Sequence, residues 1–290
     1  MWSSTPALYI LLIFAWSTSW LPLSWQVGVV APEVSLFWRF LLAAPIMWFI
    51  SYRSGARLRP VLTELPAFMA LGLFIFGLNF TLFYYGSVGV ASGMLAVMFS
   101  SASLINLFLD TLRTRKLPAT GQVLAAIIGI LGISFLYAEE IMRTGQAWLS
   151  LILCLLGTLS FCLGNQVSAH LQRQHISVMT ANSWGMLFGA LWLFLISLAR
   201  GHEFIMEPTA QYVGGLIYLS LFSTILAFSC YLTLVGRIGA GKAAYATVVF
   251  PVFALLISSL FEGYNWTTLS FIGIGCVVLG NFLMVRQPAQ

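Results

Sequence analysis

A chain of 290 residues that is 60% hydrophobic and only 7% charged, with a mean hydropathy of +0.95, has too little polar surface to coat a soluble particle; soluble proteins carry roughly 25% charged residues. Its apolar residues fall in blocks near the ~20 residues that cross a hydrocarbon core, so the expected solvent is the bilayer. The formal charge of +5 is scattered over short loops instead of forming one stripe with interleaved aromatics, which argues against a nucleic-acid partner.

In chain order the first block, Ala7 to Val27, has no basic segment before it and reads as a spanning helix, not a cleaved signal. Further blocks follow at Val34 to Tyr52, Pro66 to Tyr85, Ser92 to Leu109 and Gly121 to Tyr137. A second set runs Trp148 to Ala169, Val178 to Leu198, Tyr212 to Val235, Ala243 to Phe261 and Thr268 to Met284. The expected fold is therefore an all-α integral membrane protein of ten transmembrane helices. The junction between the third and fourth blocks, around Gly86, Ser87, Val88 and Gly89, is the least defined boundary.

Alternate loops lie on the same side of a membrane, so their basic residues report orientation. Arg53, Arg57, Arg59, Arg113, Arg115, Lys116, Arg173, Arg237, Lys242 and Arg286 fall in the even connections and C-terminus. Only Arg143 and Arg200 fall in the odd ones, and Arg39 is inside the second block. This asymmetry predicts that both termini are cytoplasmic in a multi-pass protein of the plasma (inner) membrane. A shift of 148 pairs Ala125 with Gly273 and Gly132 with Gly280. Five spans per half is an odd number, so repeats at residues 1–140 and 141–290 would be inverted.

Polar and aromatic groups inside the spans are costly unless paired or wetted, and they nominate the site. Trp16 and Trp20 are one helical turn apart and share a face near mid-membrane, either as a stacking wall for an apolar or aromatic side chain or as packing. With them, Ser19, Asn79, Phe83, Ser100, Asn165 and Tyr245 form the predicted substrate-binding set. The amides could donate to a carboxylate or accept from an ammonium; the alternative is interhelical hydrogen bonding. Arg39 is read as a structural charge snorkelling toward Glu33 and the interface, with carboxylate binding as the other reading. Glu262 is the second structural charge. Pro251 bends the ninth span and is the expected hinge.

The sequence Phe37, Trp38, Arg39, Phe40 in the second span, Phe250, Pro251, Val252, Phe253 in the ninth, then Glu262 and the stretch Gly273 to Gly280 resemble the EamA-type members of the drug/metabolite transporter superfamily. Ser103 and Thr114 depart from the pattern, standing where the first half would carry the proline and the acid. Within that family the chain most resembles the YddG-like exporters of aromatic amino acids. The resemblance implies a basket-shaped bundle whose cavity is lined by helices 1, 3, 4, 6, 8 and 9.

The expected function is a secondary transporter exporting small amphipathic metabolites, aromatic or other hydrophobic amino acids foremost, by alternating access. A multidrug or nucleoside exporter is the alternative within the superfamily; an intramembrane enzyme or a channel is the alternative outside it. The histidines, His170, His175 and His202, read as loop residues, and no catalytic or metal-ligand spacing falls on a spanning face. Neither a cofactor nor a metal is expected, and the absence of a GxxxxGK[ST] loop argues against ATP. The partners foreseen are a small-molecule substrate and the bilayer, the chain acting as a monomer or homodimer.

Overall fold

The computed structural model describes residues 4–115, 117–144, 147–238, 243 and 246–286, and all regular structure among them is helical. The rods in chain order are α1 (Thr5–Ser24), α2 (Pro32–Arg53), α3 (Leu62–Gly86), α4 (Ser92–Leu109), α5 (Thr120–Met142), α6 (Ala147–Arg173), α7 (Val178–Ala199) and α8 (Ala210–Ile238). These eight have the length and hydropathy to cross a bilayer. Two further rods, α9 (Ala246–Phe261) and α10 (Thr268–Arg286), contain shorter apolar stretches. A helix is the natural choice in lipid because it pairs its own backbone N–H and C=O groups.

Local chemistry sets the ends. Proline occupies the first turn of α1 and α2, where its missing N–H costs nothing. Ser177 caps α7 by accepting from Thr180 N at 3.0 Å, and Thr209 caps α8 by accepting from Tyr212 N at 3.2 Å. The ill-defined junction after α3 resolves into a helix end at Gly86, a turn in which Gly89 takes φ +79°, and a restart at Ser92. The carboxylate of Glu262 seals that restart, accepting from Ser92 N at 2.9 Å, Ser92 Oγ at 2.7 Å and Ser258 Oγ at 2.6 Å. His170 is not in a loop; it lies in the last turn of α6.

Close packing joins distant parts of the chain. α5 lies against α10 and α2 against α7, while α1 packs on α8 and α9, and α6 packs on α3 and α4. The glycines of these contacts work within the chain. A Cβ on Gly132 would come within 2.6 Å of Gly273 O, and one on Gly280 within 2.8 Å of Ala125 O. Gly185 and Gly189 likewise take the ring and Cβ of Phe76 from α3. Large apolar side chains such as Ile10, Phe49, Leu260 and Phe261 face outward, while many serines and threonines are buried.

The bundle is also fastened at the end where α2 starts and α3 and α7 finish. Glu33, only 1% exposed, accepts from Tyr85 Oη at 3.0 Å and pairs with Arg200, which also donates to Tyr85 Oη at 2.9 Å. The Nε2 of His202 stands 3.7 Å from the same carboxylate. The carboxylate beside Arg200 raises the guanidinium's pKa above its ordinary value, so this arginine stays charged.

Two outcomes follow from this packing. Gly132→Ala must push α5 off α10 and should lower the thermal unfolding temperature of the detergent-solubilised protein by the equivalent of ~1–3 kcal/mol, whereas Gly275→Ala, with nothing within 4 Å of its added Cβ, should lose no stability. Glu33→Gln and Arg200→Gln should each destabilise, and the double variant should lose less than the sum, with a coupling of ~0.5 kcal/mol or more in a double-mutant cycle.

Candidate functional site

The helices nearest the centre are irregular where they face one another. The helical hydrogen bonding of α1 breaks at Thr18 and Ser19, and α4 breaks at Ser100 and Ser101. In α3 the stretch Gly72–Asn79 is a π-helix, and in α8 so is Leu219–Leu226. A π turn widens the helix and shifts which side chains face inward, and such turns are frequent at functional sites. Here they carry Asn79 in α3 and the pair Ser223 and Thr224 in α8.

These segments enclose a cavity. α1 contributes Trp16, Ser19, Trp20 and Leu23, and α3 contributes Asn79, Phe80 and Phe83. Phe99 comes from α4, Leu219, Ser223 and Phe228 from α8, and Arg39 from α2. The free space is about 40 Å³, room for a few waters at roughly 10–15 Å³ each but not for an indole.

A connected set of rings forms most of the wall. Trp16 lies 5.7 Å from Phe99, 5.7 Å from Phe228 and 5.1 Å from Tyr231, centroid to centroid. Trp20 lies 5.5 Å from Phe83 and is stacked on Phe250 at 6.2 Å, with their planes 18° apart. Phe161 of α6 and Phe250 of α9 back these rings without lining the space. The wall therefore comes from helices 1, 2, 3, 4 and 8, with 6 and 9 in the layer behind, unlike the set that the family resemblance implied.

Arg39 supplies the charge. It is fully buried, so it does not snorkel toward Glu33. Six residues apart on one helix, the two side chains leave on different faces, and Glu33 is engaged by Arg200 instead. The Arg39 Nε donates to Thr224 Oγ1 at 2.8 Å, Nη2 donates to Ser223 Oγ at 3.1 Å, and the guanidinium lies 4.3 Å over the Phe80 ring. Among the described residues no carboxylate pairs with it. Three residues of the lining carry a polar atom that meets no partner of standard geometry among the described residues, Nη1 of Arg39, Nε1 of Trp20 and Oδ1 of Asn79, and the fully buried Tyr84 hydroxyl, also unpartnered by that standard, lies beside the Arg39 guanidinium.

Of the residues nominated from sequence, Trp16, Ser19, Trp20, Asn79 and Phe83 come together at this cavity. Ser100 and Asn165 do not reach it. Ser100 Oγ donates to Val97 O at 2.6 Å and accepts from Asn281 at 3.4 Å, which ties the break in α4 to α10; Asn165 donates to Tyr231 Oη at 3.2 Å. Tyr245 lies outside the described residues. Pro251 sits inside continuous α9, one residue past Phe250. Sequence reasoning passed over Phe80, Phe99, Ser223 and Phe228; a hydroxyl pair in an apolar run, Ser223 and Thr224, was the one available signal.

The comparisons with known proteins agree with this architecture. The chain is 24% identical over 281 residues to protein PagO of Salmonella typhimurium, covering 97% of this chain and 92% of that one. It is 26% identical over 294 residues to YedA of Escherichia coli (strain K12), described as an uncharacterized inner membrane transporter, with the same coverage. A solved crystal structure superposes with a TM-score of 0.71 over 97% of this chain and 96% of that one at 13% identity, which speaks to fold alone. The model of the EamA-like transporter family matches twice, at residues 4–138 and 148–286. The chain belongs to the EamA-like transporter family and is a multi-pass membrane transporter of the drug/metabolite superfamily.

Proposed function

We propose that the protein exports small amphipathic metabolites, aromatic or other hydrophobic amino acids first among them, by alternating access. The observation that carries this reading is the narrow, ring-walled cavity with one buried cation and unpartnered polar atoms on its lining residues. Aromatic walls suit a flat apolar side chain, and fixed polar groups orient a headgroup. A buried guanidinium without an acid repels cationic drugs, which ranks them below amino acids as cargo. On this reading the chain stands closest to the YddG-like exporters in its superfamily.

The transport cycle we infer rests on ten spans arranged as two inverted five-helix halves, residues 1–140 and 141–290. Three observations support that arrangement. The family model matches once in each half. The π segments begin at Gly72 and Leu219, 147 residues apart and at corresponding places in α3 and α8. The contact of Ala125 with Gly280 becomes, under a shift of 148, the contact of Gly273 with Gly132, and both are made. A rocking of paired helices about such an axis, with Pro251 beside the ring cluster as a hinge, would open the cavity to each side in turn. The basic loops support a reading with both termini in the cytoplasm, and the likeness to YedA supports the inner membrane.

Proteoliposomes of the purified chain should release tryptophan or phenylalanine down a concentration gradient and show saturable counterflow without a proton gradient. Strict dependence on ΔpH would overturn uncoupled export, and single-channel conductance would overturn a carrier. A counterflow panel that ran on nucleosides and not on amino acids would move the assignment to the nucleoside branch. Trp16→Ala should cut initial rates about tenfold or more with smaller loss of membrane-inserted protein, while Trp16→Phe should keep most transport; equal loss of rate and insertion would reduce Trp16 to packing.

A further inference from the structure

The three unpartnered atoms differ in kind and complement one another. Arg39 Nη1 and Trp20 Nε1 are donors and Asn79 Oδ1 is an acceptor, all on residues that line one cavity. One trapped water has enough hydrogen bonds to serve all three, but it leaves the Arg39 charge uncompensated inside a desolvated bundle. A carboxylate compensates it through a charge-assisted hydrogen bond from Nη1. The remaining two donor nitrogens of Arg39 are already committed to Thr224 and Ser223, so the guanidinium is oriented before a ligand arrives. A phosphate dianion would outnumber this single cation in an otherwise apolar wall. A halide would leave the Asn79 acceptor unused.

We infer that the cavity recognises its cargo through a free carboxylate received by Arg39 and Trp20, with an adjacent N–H or O–H donor received by Asn79. The substrate class is thus aromatic or hydrophobic α-amino and α-hydroxy carboxylic acids, and Arg39 is the residue that sets it. The inference rests on the transport reading for its biological sense and on the cavity alone for its chemistry.

Competition against tryptophan counterflow in proteoliposomes tests it. Indole-3-lactate, which keeps the carboxylate and an α-hydroxyl, should compete within a few-fold of tryptophan. Tryptamine and tryptophan amide, which lack a carboxylate, should be weaker by about tenfold or more, the size expected for losing a charge-assisted hydrogen bond. Equal competition by tryptamine or the amide overturns the inference. If tryptophan does not move at all, the transport reading has failed separately, and the same ligands are compared by thermal shift on the detergent-solubilised chain. Indole-3-lactate should then raise the unfolding temperature of the wild type while tryptamine does not; a shift from tryptamine alone, or from neither ligand, overturns it.

Variants localise the effect. Arg39→Gln should abolish the preference for carboxylate over amide, and Arg39→Lys should restore part of it because the charge returns without the planar edge. Trp20→Phe keeps the ring against Phe83 and Phe250 and should weaken carboxylate ligands while leaving amides unchanged. Arg39→Lys keeps the charge and Trp20→Phe keeps an aromatic ring, so they serve if Arg39→Gln does not fold. An unaltered carboxylate preference in folded Arg39→Lys and Trp20→Phe together overturns the assignment of these residues.

Discussion

A guanidinium removed from water and from any neighbouring carboxylate is the constraint around which the centre of this bundle is organised. In a low-dielectric interior such a group survives only if several donors are met and its charge is softened. The chain meets the demand with parts that are far apart in sequence. Two hydroxyls from a π-helical turn of α8 accept from Arg39, and the face of Phe80 in α3 lies beneath it. Ser220, also in that π turn, donates to the Arg39 carbonyl at 3.1 Å. α2, α3 and α8 are thus registered against one another at one level, and that level is the floor of the cavity.

The irregular backbone lies at the same level. Ser220, Ser223 and Thr224 stand at i, i+3 and i+4 and so share the face turned toward α2, and the π turn that carries them widens α8 there. In α3 the corresponding turn lets Gly72 approach Gly185 and Gly189 and delivers Asn79 to the cavity. Breaks in α1 and α4 are likewise absorbed by hydroxyls, Thr18 Oγ1 donating to Phe14 O at 2.7 Å and Ser100 Oγ to Val97 O at 2.6 Å. Unwound backbone inside a membrane bundle is tolerated where side chains or a cavity take up the freed groups.

Much of the fold was legible because the bilayer imposes a length on every apolar block. The block Ser92 to Leu109 coincides with α4, and the other rods begin and end within a few residues of the expected limits. The indoles were legible because a four-residue spacing survives even the break at Thr18. What could not be read was the direction of each polar face. Asn165 and Ser100 looked equivalent to Asn79, yet they turn to Tyr231 and Asn281. Arg39 was misjudged because its own helix offers an acid, Glu33, whereas its partners lie 184 and 185 residues further on. No spacing rule within one helix encodes a π turn in another.

The ring cluster also bears on how the cavity opens. With about 40 Å³ free, an indole side chain has no room until the wall parts. Trp16 touches rings from α4, α6, α8 and α9, so turning its side chain alone would disrupt five ring contacts at once. Moving the Trp16 segment of α1 as a unit against α8 and α9 would separate the same rings without forcing each through a poor rotamer, and packed interfaces favour such discrete shifts over gradual deformation. The break at Thr18 divides α1 between its two tryptophans, so the segment bearing Trp16 can shift while Trp20 keeps its place beside Phe83.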